Sequence, residues 1–279
     1  MPGSHASISP PQPPHRQRAT VRLRQVLIPS EHGSWGFLFE PIAAAMILAP
    51  SSGGALLAAG VIGAFLARHP ARLASGDLAR GGTQPRTRVA LAWAIGLTIT
   101  AGAALASAGA ISGALVLAPL ALAAVPAFLT VRLDFAYRGR ELLPELLAPA
   151  VLAAAAPAIA LAGGWDAPAA TALWLLLAAR ELPAVLYIRA RLRLERGEAA
   201  GWRPPIAAHL AAVAVGVALA LAGLAPWLAS VALAWLLARA GLGLSPWRKP
   251  APARRIGFAE LGHGALTVAL YVTGYLTGW

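Results

Sequence analysis

The chain has 279 residues, of which 58% are hydrophobic and only 12% charged, with a mean hydropathy of +0.65; a soluble domain carries about 25% charged residues, so a water-soluble fold is excluded. The net charge of +12 does not point to nucleic acid, because the arginines stand between apolar runs rather than on an amphipathic domain, as expected when basic residues are retained on one side of a membrane. Cysteine is absent, which excludes disulfides, thiolate metal sites and thiol nucleophiles.

Residues 1–25 contain Pro, Ser and Arg but no apolar segment, so they read as a disordered, basic cytoplasmic tail rather than a cleavable signal, with His5 and His15 inert in it. Residues 26–279 read as one transmembrane domain. Apolar windows of bilayer length, about 20 residues, fall at 33–50, 52–67, 89–108, 111–131, 142–162, 168–188, 205–223, 225–243 and 257–278. The fold class is therefore all-α, a polytopic bundle of about nine spans. Its many Gly and Pro residues are tolerable where neighbouring helices satisfy the freed backbone groups.

The basic residues set the orientation. All 23 Lys and Arg lie in the tail or around the connectors after the second, fourth, sixth and eighth windows, counting Arg180 with the sixth and Arg239 with the eighth. The opposite connectors, near 50–52, 109–112, 163–167 and 223–226, hold none. The N-terminus is thus expected in the cytoplasm and Trp279 outside. The stretches after the second and sixth windows read as long cytoplasmic loops of about 20 residues.

Polar residues inside the spans cluster toward that same side. In the stretch from Glu31 to Pro41, His32, Gly36 and Glu40 fall at i, i+4 and i+8, which places them on one helical face with Glu40 about 12 Å deeper than His32. Glu145, Arg180, Glu181, His209, Glu260 and His263 lie in later spans, the last two followed at helical spacing by Gly264, Thr267 and Tyr271. Ionisable groups within a bilayer are costly unless paired or facing a wet interior, so they mark a site. The expectation is an inward-facing polar cavity. His32, Glu40 and His263 are its acid/base candidates; Glu31, Trp35, Arg72, Arg180, Glu181, His209 and Glu260 are its ligand-binding candidates.

Plainer roles compete with these. Arg180 and Glu181 point to different faces and can each pair with a neighbouring helix as structural glue. Arg68, His69, Arg132 and Arg140 stand near the interface, where their default is anchoring. His209 can simply hydrogen-bond across helices. Glu260-x-x-His263 is a single short match to a metal-binding spacing, and no metal site is expected from it. No Gly-x-Ser-x-Gly nucleophile pattern and no phosphate-binding Gly-x-x-x-x-Gly-Lys-Ser/Thr loop is present.

The run His32-Gly33-Ser34-Trp35, leading into an apolar helix, resembles the YwiC-like family of bacterial membrane proteins. That resemblance implies a multi-pass protein of the bacterial cytoplasmic membrane but brings no activity with it. From residue 31 onward, the nine spans and the basic stretches after the second and sixth windows are more distantly similar to the UbiA-type intramembrane prenyltransferases. Those enzymes hold a polyprenyl diphosphate through Mg²⁺ on aspartate-rich motifs in the two corresponding loops. This chain departs there: the first stretch has Asp77 alone, the second has Glu195 and Glu198 without aspartate, and the whole chain has three aspartates. A two-motif Mg²⁺-diphosphate site is not expected, and the cofactor stays unknown. Arginines could hold a phosphate or carboxylate head directly.

Three functions remain open on the sequence. One is binding of a lipophilic molecule with a polar or anionic head, in a UbiA-like bundle that could support transfer chemistry. Another is proton- or ion-coupled transport through Glu40, Arg180, Glu181 and Glu260, and the third is a non-enzymatic assembly subunit. Membrane lipids are the expected partners, and the oligomeric state is not readable.

Overall fold

The computed structural model describes Val26 and residues 32–82, 84–136 and 138–279; the 1–25 tail and Glu31 lie outside the described residues, as does the side chain of His32. Among the described residues there is no strand. The helices run α1 (His32–Leu48), α2 (Ser52–Ala79), α3 (Pro85–Ser112), a 3₁₀ turn (Ala114–Leu117), α4 (Ala118–Phe135), α5 (Leu142–Ala153), α6 (Ala155–Ala162), α7 (Ala167–Glu195), α8 (Arg203–Leu221), α9 (Trp227–Leu244) and α10 (Ala253–Thr277). Among the described residues, eight segments are long and apolar enough to span a bilayer, the 3₁₀ turn counting with α4 and α5 with α6, and α1 is a shorter apolar helix. The polytopic helical bundle read from the sequence is therefore present among the described residues, with eight segments of spanning length and α1 as a shorter ninth, each close to its expected place.

Local chemistry starts and stops these helices. The Ser51 hydroxyl accepts from the Gly54 amide at 2.9 Å and the Asp166 carboxylate from the Ala169 amide at 2.8 Å, which caps α2 and α7. Proline occupies the first turn of α3, α4, α7 and α8, where its missing N–H costs nothing. Gly113, at φ 88°, makes the sharp exit from α3 that a side chain would oppose.

One expectation needs correction. The stretches after the second and sixth windows are not long loops: α2 continues through Pro70 to Ala79, and α7 runs on to Glu195. The connectors shrink to 80–84 and 196–202. At 28 and 29 residues these helices are about 42 and 44 Å long, well beyond a hydrocarbon core of about 30 Å. Their polar ends stand outside the apolar slab, where hydropathy falls although the helix does not end.

Successive spans run back and forth through short connectors. The connectors at 80–84, 136–141, 196–202 and 245–252 thus gather at one end, with most of the described basic residues. This arginine-rich end is where the cavities open.

Burial distinguishes centre from rim. More than half of the apolar window of α7 is buried (56%), against 17% for α3, so α7 is a central helix and α3 faces lipid. Leu173, Leu176 and Leu177 of α7 form one buried cluster with Leu38 of α1, Leu57 of α2, the alanine-rich α6, Leu233 and Leu236 of α9, and Tyr271 of α10. Lipid tails supply no hydrophobic drive between helices, so close backbone approach has to. It is visible at Gly63, where a Cβ would stand 3.1 Å from the Cβ of Ala101 on α3.

Candidate functional site

The centre of the site is a buried ion pair joining α1 to α7. Arg180 Nε lies 2.8 Å from Glu40 Oε2, a charge contact, while Arg180 Nη2 donates a hydrogen bond to Glu40 Oε1 at 3.1 Å. The two side chains are 3% and 9% exposed, deep enough that either alone would be an uncompensated charge in apolar surroundings. Nη2 also reaches the Glu260 backbone carbonyl at 3.3 Å, and the guanidinium lies 5.9 Å from the centre of the Phe37 ring.

Two helices make room for this pair. A Cβ at Gly264 of α10 would overlap the Glu40 carboxylate and crowd the Arg180 guanidinium. At Gly36, one turn before Glu40, a Cβ would meet Leu261 Cδ2 at 3.0 Å and Glu40 Oε1 at 3.3 Å. The helical face read in the sequence as His32, Gly36 and Glu40 therefore faces α10 from Gly36 onward, and α1 and α10 are packed neighbours.

The charge chain continues sideways. The Glu260 carboxylate pairs with Arg239 of α9, whose guanidinium sits 4.1 Å from the centre of the Tyr187 ring on α7. Arg180 thus stands between one glutamate side chain and the backbone of a second, and that second glutamate has its own arginine. Below it, the Tyr271 hydroxyl donates to the Leu176 carbonyl at 3.1 Å and fixes α10 against α7.

A cavity of about 650 Å³ opens onto this chain from the arginine-rich end, lined by Phe37, Glu40, Arg180, Arg254, Phe258 and Leu261 among others. On the outer side of α1 and α10 lies an apolar groove of about 610 Å³, lined by Trp35, Phe39, Ile47, Ala265, Val268 and Val272. The two share Gly36, Glu40 and Leu261 as walls, so the chamber that reaches the charge chain and the apolar groove meet at the carboxylate. Trp35 braces the groove, stacked on Phe39 at 5.8 Å and edge-on to Phe65 at 5.4 Å.

A second chamber of about 580 Å³ opens at the same end between α1, α2, α4, α5 and α7, with Arg68, Arg72, Asp134, Arg140, Glu145 and Arg189 around it. Phe37, Ile188 and Leu192 belong to both chambers and form their common wall.

These positions divide the residues read from the sequence. Glu40, Arg180 and Glu260 come together, and Trp35 stands in the adjoining groove. Arg72 lies across the common wall, bonded to Asp134 at 2.9 Å. His263 turns toward α9, where the Trp235 indole N–H donates to its Nδ1 at 3.4 Å, and it lines a smaller pocket with Arg239 and Tyr187. His209 is buried with Nδ1 2.8 Å from the Pro205 carbonyl; the carbonyl can only accept, so Nδ1 carries the proton. That bond stays within α8, and His209 lines none of these cavities. Glu181 is fully buried, and neither carboxyl oxygen has a hydrogen-bond partner among the described residues. Glu31 and the His32 side chain lie outside the described residues.

Sequence reasoning missed Arg239 as the partner of Glu260, together with Arg254, Phe258 and Leu261. The signal available was a charged residue standing inside the eighth apolar window.

The residues present do not fit a Mg²⁺-diphosphate centre. Asp77 is taken by Arg80, Arg86 and Thr87, Glu195 by Arg191, and Glu198 by Arg196. The Arg196 hydrogen bond also holds the Glu198 carboxyl below the usual carboxylate range. Among the described residues, no three His, Asp or Glu side chains gather as metal ligands.

Fold and site together define a multi-span helical membrane protein whose central helix carries a buried arginine between two glutamate-bearing helices. The model of the family described as YwiC-like protein matches residues 28–160, from α1 into α6, and over that stretch the chain is similar to that family. Glu40 lies within the matched region; Arg180, Arg239 and Glu260 lie beyond it. No curated protein and no solved structure matches the chain.

Proposed function

We propose that the protein binds a lipophilic molecule with a polar head, the tail lying in the groove between α1 and α10 and the head meeting Glu40 and Arg180. The observation that carries this reading is the shared wall: an apolar groove and a largely apolar chamber floored by the charged pair meet at one carboxylate, and glycines at 36 and 264 leave room there for the pair. A purely structural ion pair needs neither the groove nor the opening to the arginine-rich end. That end is read as cytoplasmic from the distribution of Lys and Arg, which makes the chamber accessible from inside the cell.

A head bearing a hydroxyl or carbonyl suits the pair best. Glu40 accepts from a donor and the Arg180 guanidinium donates to an acceptor, while their mutual charge balance leaves no net attraction for an ion. If chemistry occurs on the bound head, Glu40 is the group placed to take or give a proton there.

Purification from native membranes followed by extraction and mass spectrometry of the bound lipids, quinones and porphyrins tests this. A defined lipophilic species is expected with the wild-type protein, reduced by Ala269→Trp, since Ala269 also lines the groove and Trp would fill it, and by Glu40→Gln, which alters the head contact. Only bulk phospholipid, identical in all three preparations, would overturn it.

One observation favours a second reading. Among the described residues Glu181 is wholly buried with no hydrogen-bond partner on either carboxyl oxygen, and an ionisable group so placed within a bilayer marks a candidate proton relay. Proton-coupled transport through Glu181 and Glu40 would use it. Uptake into proteoliposomes that responds to a proton gradient and is lost in Glu181→Gln supports that reading; gradient-independent behaviour removes it.

A further inference from the structure

We infer that the second chamber, on the far side of Phe37, Ile188 and Leu192, is a binding site for a phosphate-class anion. Four arginines line it, Arg68 and Arg72 from α2, Arg140 from the connector before α5, and Arg189 from α7, against two carboxylates, Asp134 and Glu145. The excess of two positive charges is what a phosphate group can neutralise, and four guanidiniums approaching from three elements suit an oxyanion with three or more acceptor atoms. A carboxylate, with two oxygens and one charge, is served by a single arginine fork.

The two carboxylates position the arginines rather than cancel them. Asp134 is buried and holds Arg72 by a 2.9 Å hydrogen bond to Nη1, with Arg68 Nε at 3.8 Å. Glu145 engages Arg189 Nη1, which also donates to the Arg140 carbonyl at 3.1 Å. Arg72 and Arg189 therefore each spend one terminal nitrogen and keep the rest of a five-donor group for a ligand. Among the described residues, the Arg140 guanidinium has no acidic partner. Gly139 lets the connector pass against Asp134, since a Cβ there would stand 2.9 Å from Asp134 Oδ1.

Interfacial anchoring does not account for this arrangement. A snorkelling arginine sends its head outward to water or lipid phosphate, whereas these four surround a cavity whose inner walls, Val185, Ile188 and Pro149, are apolar. The inference stands apart from the groove between α1 and α10 and uses none of its residues. The anion has two sources with the same chemistry, a soluble phosphate compound or the phosphodiester of a membrane lipid.

The test uses the full-length protein in phosphatidylcholine nanodiscs, titrated with inorganic pyrophosphate by calorimetry. Mixed phosphatidylcholine and phosphatidylglycerol nanodiscs, read by native mass spectrometry, form the second arm. Saturable pyrophosphate binding, weakened about tenfold or more in Arg140→Gln and unchanged in Arg138→Gln on the same connector, assigns the site to a soluble phosphate. No pyrophosphate binding, with retention of phosphatidylglycerol that is lost in Arg140→Gln but kept in Arg138→Gln, assigns it to a lipid head. Arg72→Gln should weaken the same signal; because it also disturbs Asp134, Arg140→Gln is the deciding variant. Binding of neither probe, or binding that Arg140→Gln leaves untouched or that Arg138→Gln weakens equally, overturns the inference.

Discussion

The two chambers share Phe37, Ile188 and Leu192 as a wall yet handle charge in opposite ways. In the first, Glu40 and Arg180 are buried and matched one to one, with Glu260 and Arg239 as the next matched pair. In the second, arginines outnumber acids and stay partly open: the Arg72 and Arg189 side chains are 29% and 40% exposed. A matched, desolvated pair gives geometry and a directional hydrogen-bonding surface. An unmatched, half-wet cluster gives attraction for an anion. The difference predicts that substitutions in the first chamber are felt as stability, and those in the second as binding.

The largest effect is expected from Arg180→Met. It leaves Glu40 buried without its counter-charge, which costs about 3–5 kcal/mol when a buried pair is broken. Thermal unfolding in detergent should show a large drop, and the double variant Glu40→Leu with Arg180→Met should recover most of it. A single variant as stable as wild type would mean that water reaches Glu40 and that the first chamber resembles the second.

Next comes Gly264→Ala, whose Cβ would overlap the Glu40 carboxylate, while Gly262 on the same helix has open space around it. Overpacking of this kind costs about 1–3 kcal/mol, whereas Gly262→Ala should be neutral or slightly stabilising through helix propensity. Melting temperatures of the two variants, measured side by side, separate steric crowding at the pair from a general effect of glycine loss.

Smaller still is Arg189→Gln in the second chamber. Its pair with Glu145 is partly exposed, so the stability change should stay below about 1 kcal/mol. Anion binding should fall in the same preparation, and a stability loss as large as that of Arg180→Met would erase the contrast between the chambers. Arg138→Ala, at an exposed pair with Glu141, should leave the melting temperature unchanged within error.

Much of the bundle is legible in the sequence because a bilayer imposes one length on apolar runs and one side on basic residues. That is why nine spans could be drawn before any contact was known. The ends of α2 and α7 were not legible: Arg68, Arg72, Arg189 and Arg193 lower the local hydropathy, and nothing in that signal separates a protruding helix from a loop. Running α2 onward would have put Arg68 and Arg72 at i, i+4 on one face, the first hint of the second chamber.

Within the site, Glu40, Arg180 and Glu260 stood out as charges in apolar windows, and each proves to be buried. Their partners did not follow from spacing. Whether Glu260 meets Arg180 or Arg239 depends on how α7, α9 and α10 cross, and no periodicity along one helix encodes that. His263 shows the same limit: its spacing sets it on the same face as Glu260, and both turn toward α9, but nothing along α10 encodes Trp235 as its partner there.

The central claim is that a tail in the groove between α1 and α10 carries its head to Glu40 and Arg180. Native mass spectrometry of the protein released from its own membranes, with wild type, Ala269→Trp and Glu40→Gln compared side by side, tests it most directly. One defined mass adduct on the wild type, absent from Ala269→Trp and weakened in Glu40→Gln, is the predicted result. An adduct pattern of ordinary phospholipids that is the same in all three would contradict it.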